Sequence, residues 1–239
     1  MFRNESIIWK LKLIITCEHG GNEIPSQYLN LFKAHKSVLE SHRGFDLGAL
    51  DVFEYLKPLS DYSKSSTTSR LLIELNRSLH HKQLFSEYSK TLNTSEKEHI
   101  ISTIYVPHRN DIESKISSFI SKSETVLHLS IHSFTPTLNG IERDCDIGLL
   151  YDSRILLEKQ FSAELKSQIK TKSPDLNVRF NYPYLGKADG FTTYLRRKFK
   201  KNYIGIEIEI NQKHSKSNQM NQLLKDTLLV AIKNVTINF

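Results

Sequence analysis

The sequence predicts a single α/β domain, a three-layer α/β/α sandwich whose central sheet is mixed and mostly parallel. Short runs rich in Ile, Leu and Val alternate along the chain with segments in which apolar residues recur at helical spacing. This alternation is typical of a sheet that is covered by helices on both faces. The chain has 239 residues, of which 38% are hydrophobic, and it contains no repeat or Pro/Ser-rich linker, so we expect one domain over residues 1–239.

Five runs are predicted to be strands because each is short, rich in β-branched residues and bounded by Gly, Pro, Asn or Asp. They are residues 11–16, 71–75, 126–131, 147–151 and 204–210. Helical spacing of apolar residues predicts helices over 47–56, 112–120, 155–169 and 220–235. The polar stretch 60–69 is predicted to be a surface loop, and residues 79–99 an excursion over the sheet edge.

The composition limits the partners, the compartment and the membrane segments that we expect for this protein. The chain carries 33 Lys and Arg against 26 Asp and Glu, and its densest basic run, residues 196–201, is predicted to be a solvated helix face or loop. A nucleic-acid contact is the alternative for that run, but no nucleic-acid partner is expected. Two cysteines, Cys17 and Cys145, indicate a reducing compartment, so we expect a cytoplasmic protein. No run approaches the roughly 20 apolar residues that span a bilayer, and residues 1–10 lack a signal-peptide core.

Polar side chains follow two of the predicted strands. His19 comes after the first strand, and the two glycines behind it allow the backbone to approach a ligand closely. His132 lies at the carboxyl end of the third strand, where ligands bind in open α/β sheets. Two histidines and a nearby acid such as Asp46 would make a three-ligand zinc site with one open position. A hydrogen-bonded structural histidine is the alternative at each position.

Further candidates surround this set. Glu207 and Glu209 share one face of the last predicted strand, and burying them without a partner would be costly. One of them could act as general base for a metal-activated water, and a solvated edge strand is the alternative. Arg77, beside Asn76, can bind a carboxylate with its planar fork, or form a surface salt bridge. Arg143 precedes the fourth strand and can line the same cleft.

Seven motifs occur in an order that resembles the N-formylglutamate amidohydrolase family. They are CEHGGNEIP (17–25), HRGFDLG (42–48), SRLLIELNR (69–77), IHSFTP (131–136), RDCDIGLLYD (143–152), NYPYLGKADG (181–190) and GIEIEINQ (205–212). The resemblance extends from about residue 11 to residue 235. Any one motif is a weak signal, but seven in order are specific.

The resemblance implies a phosphorylase/hydrolase-like fold akin to that of the zinc carboxypeptidases and hydrolysis of a linear amide by zinc-activated water. It implies one Zn²⁺ per chain, with His19 and His132 matching the two metal histidines. The carboxypeptidase motif has a Glu three residues after its first His, and this sequence has Asn22 there. Asp46 is therefore the expected carboxylate ligand, with Glu23 in reserve.

The resemblance also assigns the remaining roles. Asn76 and Arg77 resemble the carboxypeptidase pair that holds a substrate carboxylate, and we add Ser133 and Arg143 to the substrate-binding residues. Residues 209–211 resemble the segment that carries the general base, so Glu209 is preferred over Glu207. The default substrate is N-formyl-L-glutamate, a small acidic N-acyl amino acid, and no membrane partner is expected. The alternatives are another N-acyl amino acid, a short peptide, or a non-catalytic binding protein on the same fold.

Overall fold

A six-stranded sheet forms the centre of the protein in this computed structural model, which describes residues 10–239. The strands of this sheet and of two small hairpins are β1 (Leu11–Cys17), β2 (Tyr62–Ser65), β3 (Thr125–Phe134), β4 (Thr137–Leu138), β5 (Ile141–Glu142), β6 (Ile147–Leu150), β7 (Val178–Phe180), β8 (Tyr203–Asn211), β9 (Ser215–Lys216) and β10 (Gln219–Met220). The sheet order is β2-β1-β3-β8-β6-β7, while β4–β5 and β9–β10 form the hairpins. The prediction of no signal peptide falls on residues 1–9, which lie outside the described residues.

Helices cover both faces of the sheet. They are α1 (Lys36–Leu39), α2 (Ala49–Leu56), α3 (Thr94–Ile100), α4 (Val106–Ile120), α5 (Leu156–Lys172), α6 (Phe191–Lys198) and α7 (Gln222–Asn238). Helices α2, α5 and α7 pack on one face, and α4 and α6 pack on the other. The predicted three-layer class is therefore confirmed. Within residues 10–239, none of the helices combines the length and the hydropathy that crossing a bilayer requires.

Strand direction confirms the mixed, mostly parallel sheet. Strand β1 pairs in parallel with β2 and β3, and β3 pairs in parallel with β8. Strand β6 is antiparallel to β8 and parallel to β7. Because β1, β3 and β8 are adjacent and run in the same direction, their carboxyl ends meet at one edge of the sheet, where ligands bind in folds of this kind.

Alternation along the strands separates two environments. The isoleucines 204, 206, 208 and 210 of β8 join the large core under α2, α5 and α7. Glu207 and Glu209 lie between them and face the other side, as side chains of a strand alternate. Strand β3 follows the same pattern, with Leu127, Leu129 and Ile131 in the large core. Its polar residues 128, 130 and 132 therefore share a face with the two glutamates.

Three predictions of local structure were wrong or incomplete. Residues 71–75 form no strand, because Leu72 and Ile73 pack in a separate cluster around Phe32 rather than on the sheet. Strand β2 lies inside the predicted loop 60–69, and β7 was not predicted. Both are short edge strands, and all four residues of β2 are half-buried, so neither carries the apolar run of a central strand. The excursion 79–99 ends in helix α3, which was also not predicted.

The basic run 196–201 begins in helix α6 and is not wholly a solvated face. The side chain of Arg196 is only 7% exposed, and its Nε donates to Glu158 Oε1 at 2.8 Å. Its two terminal nitrogens donate to the carbonyls of Gly186 and Gly205. Arg197, the next residue, is exposed as predicted. Arg196 therefore ties α6 to α5 and to the sheet instead of lying at the surface.

Replacing Arg196 by Met should destabilise the protein, because Glu158 is fully buried and would lose its charged partner. Breaking a buried pair by removing one partner costs about 3–5 kcal/mol of unfolding free energy, which equilibrium urea unfolding measures. Arg197→Met is the matched control and should stay within about 0.5 kcal/mol of the parent protein. Equal stability of the two variants would contradict a structural role for the pair.

Candidate active site

Three buried side chains converge at the carboxyl edge of the sheet. His19 follows β1, His132 belongs to β3, and Asp46 lies in the turn before α2. Asp46 Oδ2 is 2.9 Å from His132 Nδ1 and 3.3 Å from His19 Nδ1. The three ligand atoms lie within 4.8 Å of one another. The structure therefore brings together the three residues that were predicted to hold a metal.

The donor set suits a divalent metal ion. Imidazole nitrogens and a carboxylate oxygen are preferred zinc ligands, at about 2.0–2.2 Å from the ion. In a tetrahedral site such ligand atoms would stand about 3.3 Å apart, close to the two separations observed here. Three protein ligands leave a fourth position open, which is the arrangement of catalytic rather than structural zinc sites.

The far nitrogens of both rings are held by acidic partners. His19 Nε2 is hydrogen-bonded to Glu74 Oε1. His132 Nε2 is 2.8 Å from Ser130 Oγ, whose hydroxyl donates to Glu18 Oε2 at 2.6 Å. Because these acceptors require a proton on each Nε2, they leave a lone pair on each Nδ1. Two lone pairs would then face a carboxylate oxygen, and such an arrangement needs a proton or a metal cation between them.

The buried carboxylates of the site outnumber its guanidinium group, so the site needs further positive charge, on the rings or from a bound cation. Three carboxylates, those of Glu18, Asp46 and Glu74, surround the two rings, while Arg70 supplies one guanidinium. Arg70 donates to Asp46 Oδ1 at 3.0 Å and to Glu74 Oε2 at 2.6 Å. Burial disfavours the charged form of His132, but Asp46 and Glu18 outweigh burial and raise its pKa well above the ordinary value. The site therefore favours added positive charge.

A cavity of about 290 Å³ opens beside the three ligands. Eight of the nine predicted site residues line it, and Arg143 does not. The Arg143 guanidinium instead donates from Nη1 to the hydroxyl of Tyr184, 3.2 Å away, and Tyr184 lines the cavity. Ser133 lines the cavity, but its hydroxyl donates to Leu47 O at 2.8 Å.

The two glutamates of β8 differ in their hydrogen-bond partners. Glu209 is paired with His132 in the β3–β8 register, so both side chains lie on the site face. Its buried Oε2 has no hydrogen-bond partner among residues 10–239, whereas Glu207 accepts the hydroxyl of Thr192. Burial, with the negative charges of Asp46 and Glu207, raises the pKa of Glu209 to about 7 against the opposing charge of His132. Of the two, only Glu209 thus keeps a buried carboxylate oxygen without a hydrogen-bond partner in the described part of the chain.

Backbone packing places a loop over Glu209. Gly148 of β6 lies opposite Glu209 in the sheet, and a Cβ built on Gly148 would stand 1.9 Å from Tyr182 O. A side chain at position 148 would therefore push the 181–185 loop away from the sheet. The glycine allows this loop to bring Tyr184 to the cavity.

Gly20 and Gly21, which follow His19, were predicted to let the backbone approach a ligand, and the structure gives them another role. Gly20 N donates to Ser66 O at 2.9 Å, and a Cβ on Gly21 would stand 2.7 Å from Thr67 O. These glycines therefore admit a neighbouring chain segment rather than a ligand. Asn22 and Glu23 also point elsewhere, because Asn22 Nδ2 donates to Leu39 O and Glu23 accepts the hydroxyl of Thr67. Neither joins the cluster of candidate metal ligands.

Sequence reasoning missed the residues that surround the ligands. Arg70 and Glu74 lie in the quoted motif 69–77, and Glu18 lies directly before His19. One signal was present, because Glu74 interrupts an apolar run in the same way as the glutamates of β8, and an unpaired buried carboxylate is costly. The predicted strand over 71–75 drew no attention to Glu74, which the sequence analysis left without a role.

Comparison with known proteins identifies the family. The N-formylglutamate amidohydrolase family model matches residues 11–214, and the chain belongs to this family. A gene product of Agrobacterium tumefaciens has a similar fold, with 23% identity, a TM-score of 0.72, and coverage of 94% of this chain and 88% of that one. N-formylglutamate amidohydrolase from Ralstonia eutropha JMP134 is also similar in fold, with 15% identity, a TM-score of 0.71, and coverage of 96% and 94%. No curated protein sequence matches the chain.

Glu74→Gln should weaken metal binding, because it removes the negative charge that holds His19 Nε2 and keeps the shape of the side chain. Loss of such a partner typically lowers metal affinity about 10- to 100-fold. Competition with a fluorescent chelator, with Zn²⁺ as the probe ion, measures the change. Glu87→Gln is the control, since Glu87 is exposed on the surface beside Arg43 and should leave the affinity unchanged. Equal affinities in the two variants would contradict the role of Glu74.

Proposed function

We propose that this member of the N-formylglutamate amidohydrolase family is a metal-dependent hydrolase that cleaves the linear amide bond of an N-formyl or other N-acyl amino acid. N-formyl-L-glutamate is the default substrate. The observation that carries the proposal is that two imidazole Nδ1 atoms face one oxygen of Asp46. Glu74 holds one Nε2 atom, and Ser130, backed by Glu18, holds the other. Family membership supports the reaction class.

In this proposal His19, Asp46 and His132 hold one Zn²⁺. Zinc in such a site supplies a Lewis acid that polarises a carbonyl and lowers the pKa of water to about 7. Glu74 and Ser130, with Glu18 behind Ser130, fix the orientation of the two rings. Arg70 keeps Asp46 in place and limits the negative charge that the ion must balance.

Glu209 is the proposed general base. It takes a proton from the attacking water as the water oxygen forms a bond to the carbonyl carbon. It then gives this proton to the amine nitrogen as the carbon–nitrogen bond breaks, which yields a carboxylic acid and an amino acid. Its unpartnered Oε2, on the same sheet face as His132, supports this assignment over Glu207, whose Oε1 accepts the hydroxyl of Thr192.

The cavity supports a small substrate that carries a carboxylate. Asn76 and Arg77 line the cavity, and the Arg77 fork matches a carboxylate. Arg143, through its contact with Tyr184, adds positive charge near the mouth. A volume of about 290 Å³ suits an amino acid with a short acyl group better than a peptide. The net charge of +7 would assist the encounter with an acidic substrate.

The purified protein should contain one equivalent of zinc, and removal of this zinc by a chelator should abolish amide hydrolysis. The double variant His19→Ala/His132→Ala should lose the metal, because it removes two of the three ligands. Elemental analysis and release of formate measure the two effects. The matched control is His35→Ala/His99→Ala, which changes two exposed histidines. Absence of stoichiometric zinc, or zinc retained in the first double variant, would exclude the site.

Glu209→Gln should keep the metal and lose about 10²- to 10⁴-fold in kcat, because the amide cannot accept the water proton. Steady-state kinetics with N-formyl-L-glutamate, together with elemental analysis, separates loss of catalysis from loss of metal. Glu142→Gln, at an exposed position, is the control and should retain full activity. Full activity in Glu209→Gln would reject its role as base.

A further inference from the structure

The turn that carries Asn76 and Arg77 is fixed from behind by two side chains. The carbonyl oxygen of Arg77 accepts a hydrogen bond from the Tyr105 hydroxyl at 2.9 Å and another from Arg109 Nη1 at 3.0 Å. Arg109 Nη1 also donates to Leu75 O at 3.2 Å. Two donors thus bind the backbone on both sides of Asn76, on a segment that has no regular secondary structure.

Arg109 is an unusual residue to bury. It is 4% exposed, and it forms no ion pair with a carboxylate in the part of the chain that the structure describes. Its guanidinium instead lies over the rings of Tyr105, Phe191 and Tyr194, with its central carbon 4.9, 4.2 and 4.6 Å from their centroids. A buried cation without a carboxylate partner is costly, and the stacked rings and the backbone carbonyls offset this cost in the observed position of the guanidinium.

The local helix geometry aims both donors at the same carbonyl. Tyr105 ends a π-helical turn, Ile101–Tyr105, and Arg109 follows it in α4. Residues four apart lie on one helix face, so the tyrosine ring and the guanidinium stack on each other and reach the same carbonyl. Single π-helical turns occur frequently at functional sites.

The segment that carries Phe191 also binds the side chains of the turn. Phe191 N donates to Asn76 Oδ1 at 2.7 Å, and the Phe191 ring packs against the Arg109 guanidinium. Arg77 Nη1 donates to the carbonyl of Asp189, two residues before Phe191. Arg109 therefore contacts both the turn and the segment that orients the side chains of the turn.

We propose that Tyr105 and Arg109 are positioning residues that hold Asn76 and Arg77 in the orientation that receives the substrate carboxylate. This inference rests on the proposed function, in which that pair binds the carboxylate. Tyr105 and Arg109 do not line the active-site cavity and do not touch the reacting atoms. They fix the backbone from which the Asn76 and Arg77 side chains extend.

Tyr105→Phe removes one hydroxyl and keeps the ring that stacks on Arg109. The KM for N-formyl-L-glutamate should rise about 3- to 10-fold, with kcat within about 2-fold of the parent enzyme, because one hydrogen bond to the turn is lost. Arg109→Lys should raise KM about 10-fold or more, because the ammonium cannot reproduce the stacked, planar donor. The matched controls are Tyr55→Phe, which loses a hydroxyl bound to Asp226, and Arg197→Lys, at an exposed position. Both controls should leave KM unchanged.

Substrates that lack one carboxylate separate positioning from general destabilisation. The α-carboxamide and the γ-carboxamide of N-formyl-L-glutamate each remove one carboxylate. The KM penalty of the two variants should disappear with the carboxamide that removes the group bound by Arg77. An equal penalty with all three substrates, or no penalty in folded variants, would overturn the proposal.

Calorimetric titration with L-glutamate, the amino-acid product, gives a readout that does not need catalysis. The two variants should bind L-glutamate more weakly by the same factors as their changes in KM. If the parent protein binds L-glutamate but hydrolyses no N-acyl amino acid, the proposed function fails, and the variant affinities still decide the role of Tyr105 and Arg109. Binding that is unchanged in the variants, or absent in the parent protein, would overturn the positioning role.

Discussion

Both imidazole rings of the site turn the same nitrogen toward one oxygen of Asp46, and the polar face of the sheet is organised around this contact. The contact needs a proton or a metal cation, because the opposite nitrogens of the rings are committed to Glu74 and, through Ser130, to Glu18. The adjacent, parallel strands β1 and β3 bring the two rings to one edge. The turn before α2 supplies the carboxylate, and Asp46 N donates to His19 O at 2.9 Å.

The alternation of side chains on β3 and β8 allows this polar cluster to exist inside a folded domain. Alternate apolar residues of the two strands join the large core, and the residues between them include His132, Glu207 and Glu209. The helices on the polar face then pack against fewer apolar residues than the helices opposite. Buried charged residues such as Arg109 and Arg196 add hydrogen bonds in that layer.

Sequence patterns predicted the fold class because the central strands are apolar and the helices between them repeat at helical spacing. The edge strands β2 and β7 were missed because polar or very short strands carry no such pattern. Residues 71–75 were wrongly predicted as a strand, since a short apolar run is equally compatible with a loop that packs in its own cluster.

The candidate histidine ligands could be predicted because histidines after strands meet at one edge of a parallel sheet. Asp46 was chosen because Asn22 stands where the carboxypeptidase motif has its Glu. The partners of these ligands could not, because Glu18, Glu74 and Arg70 act through contacts that only the folded chain defines. Arg143 was expected to line the cavity and instead reaches it through Tyr184. Gly148 lies in the quoted motif 143–152, but its close contact with the 181–185 loop became visible only in the folded chain.

The close approach of the 181–185 loop to Gly148 has a consequence for the shape of the cavity. Main-chain atoms of the 181–185 loop pack on the main chain of Gly148, which pairs with Glu209, so this contact has no side-chain rotamers that could widen it. In the proposed reaction, the loop beside the general base is therefore held at a distance that backbone packing sets. A relative with a larger residue at position 148 would need a different path for residues 181–185, which bring Tyr184 to the cavity.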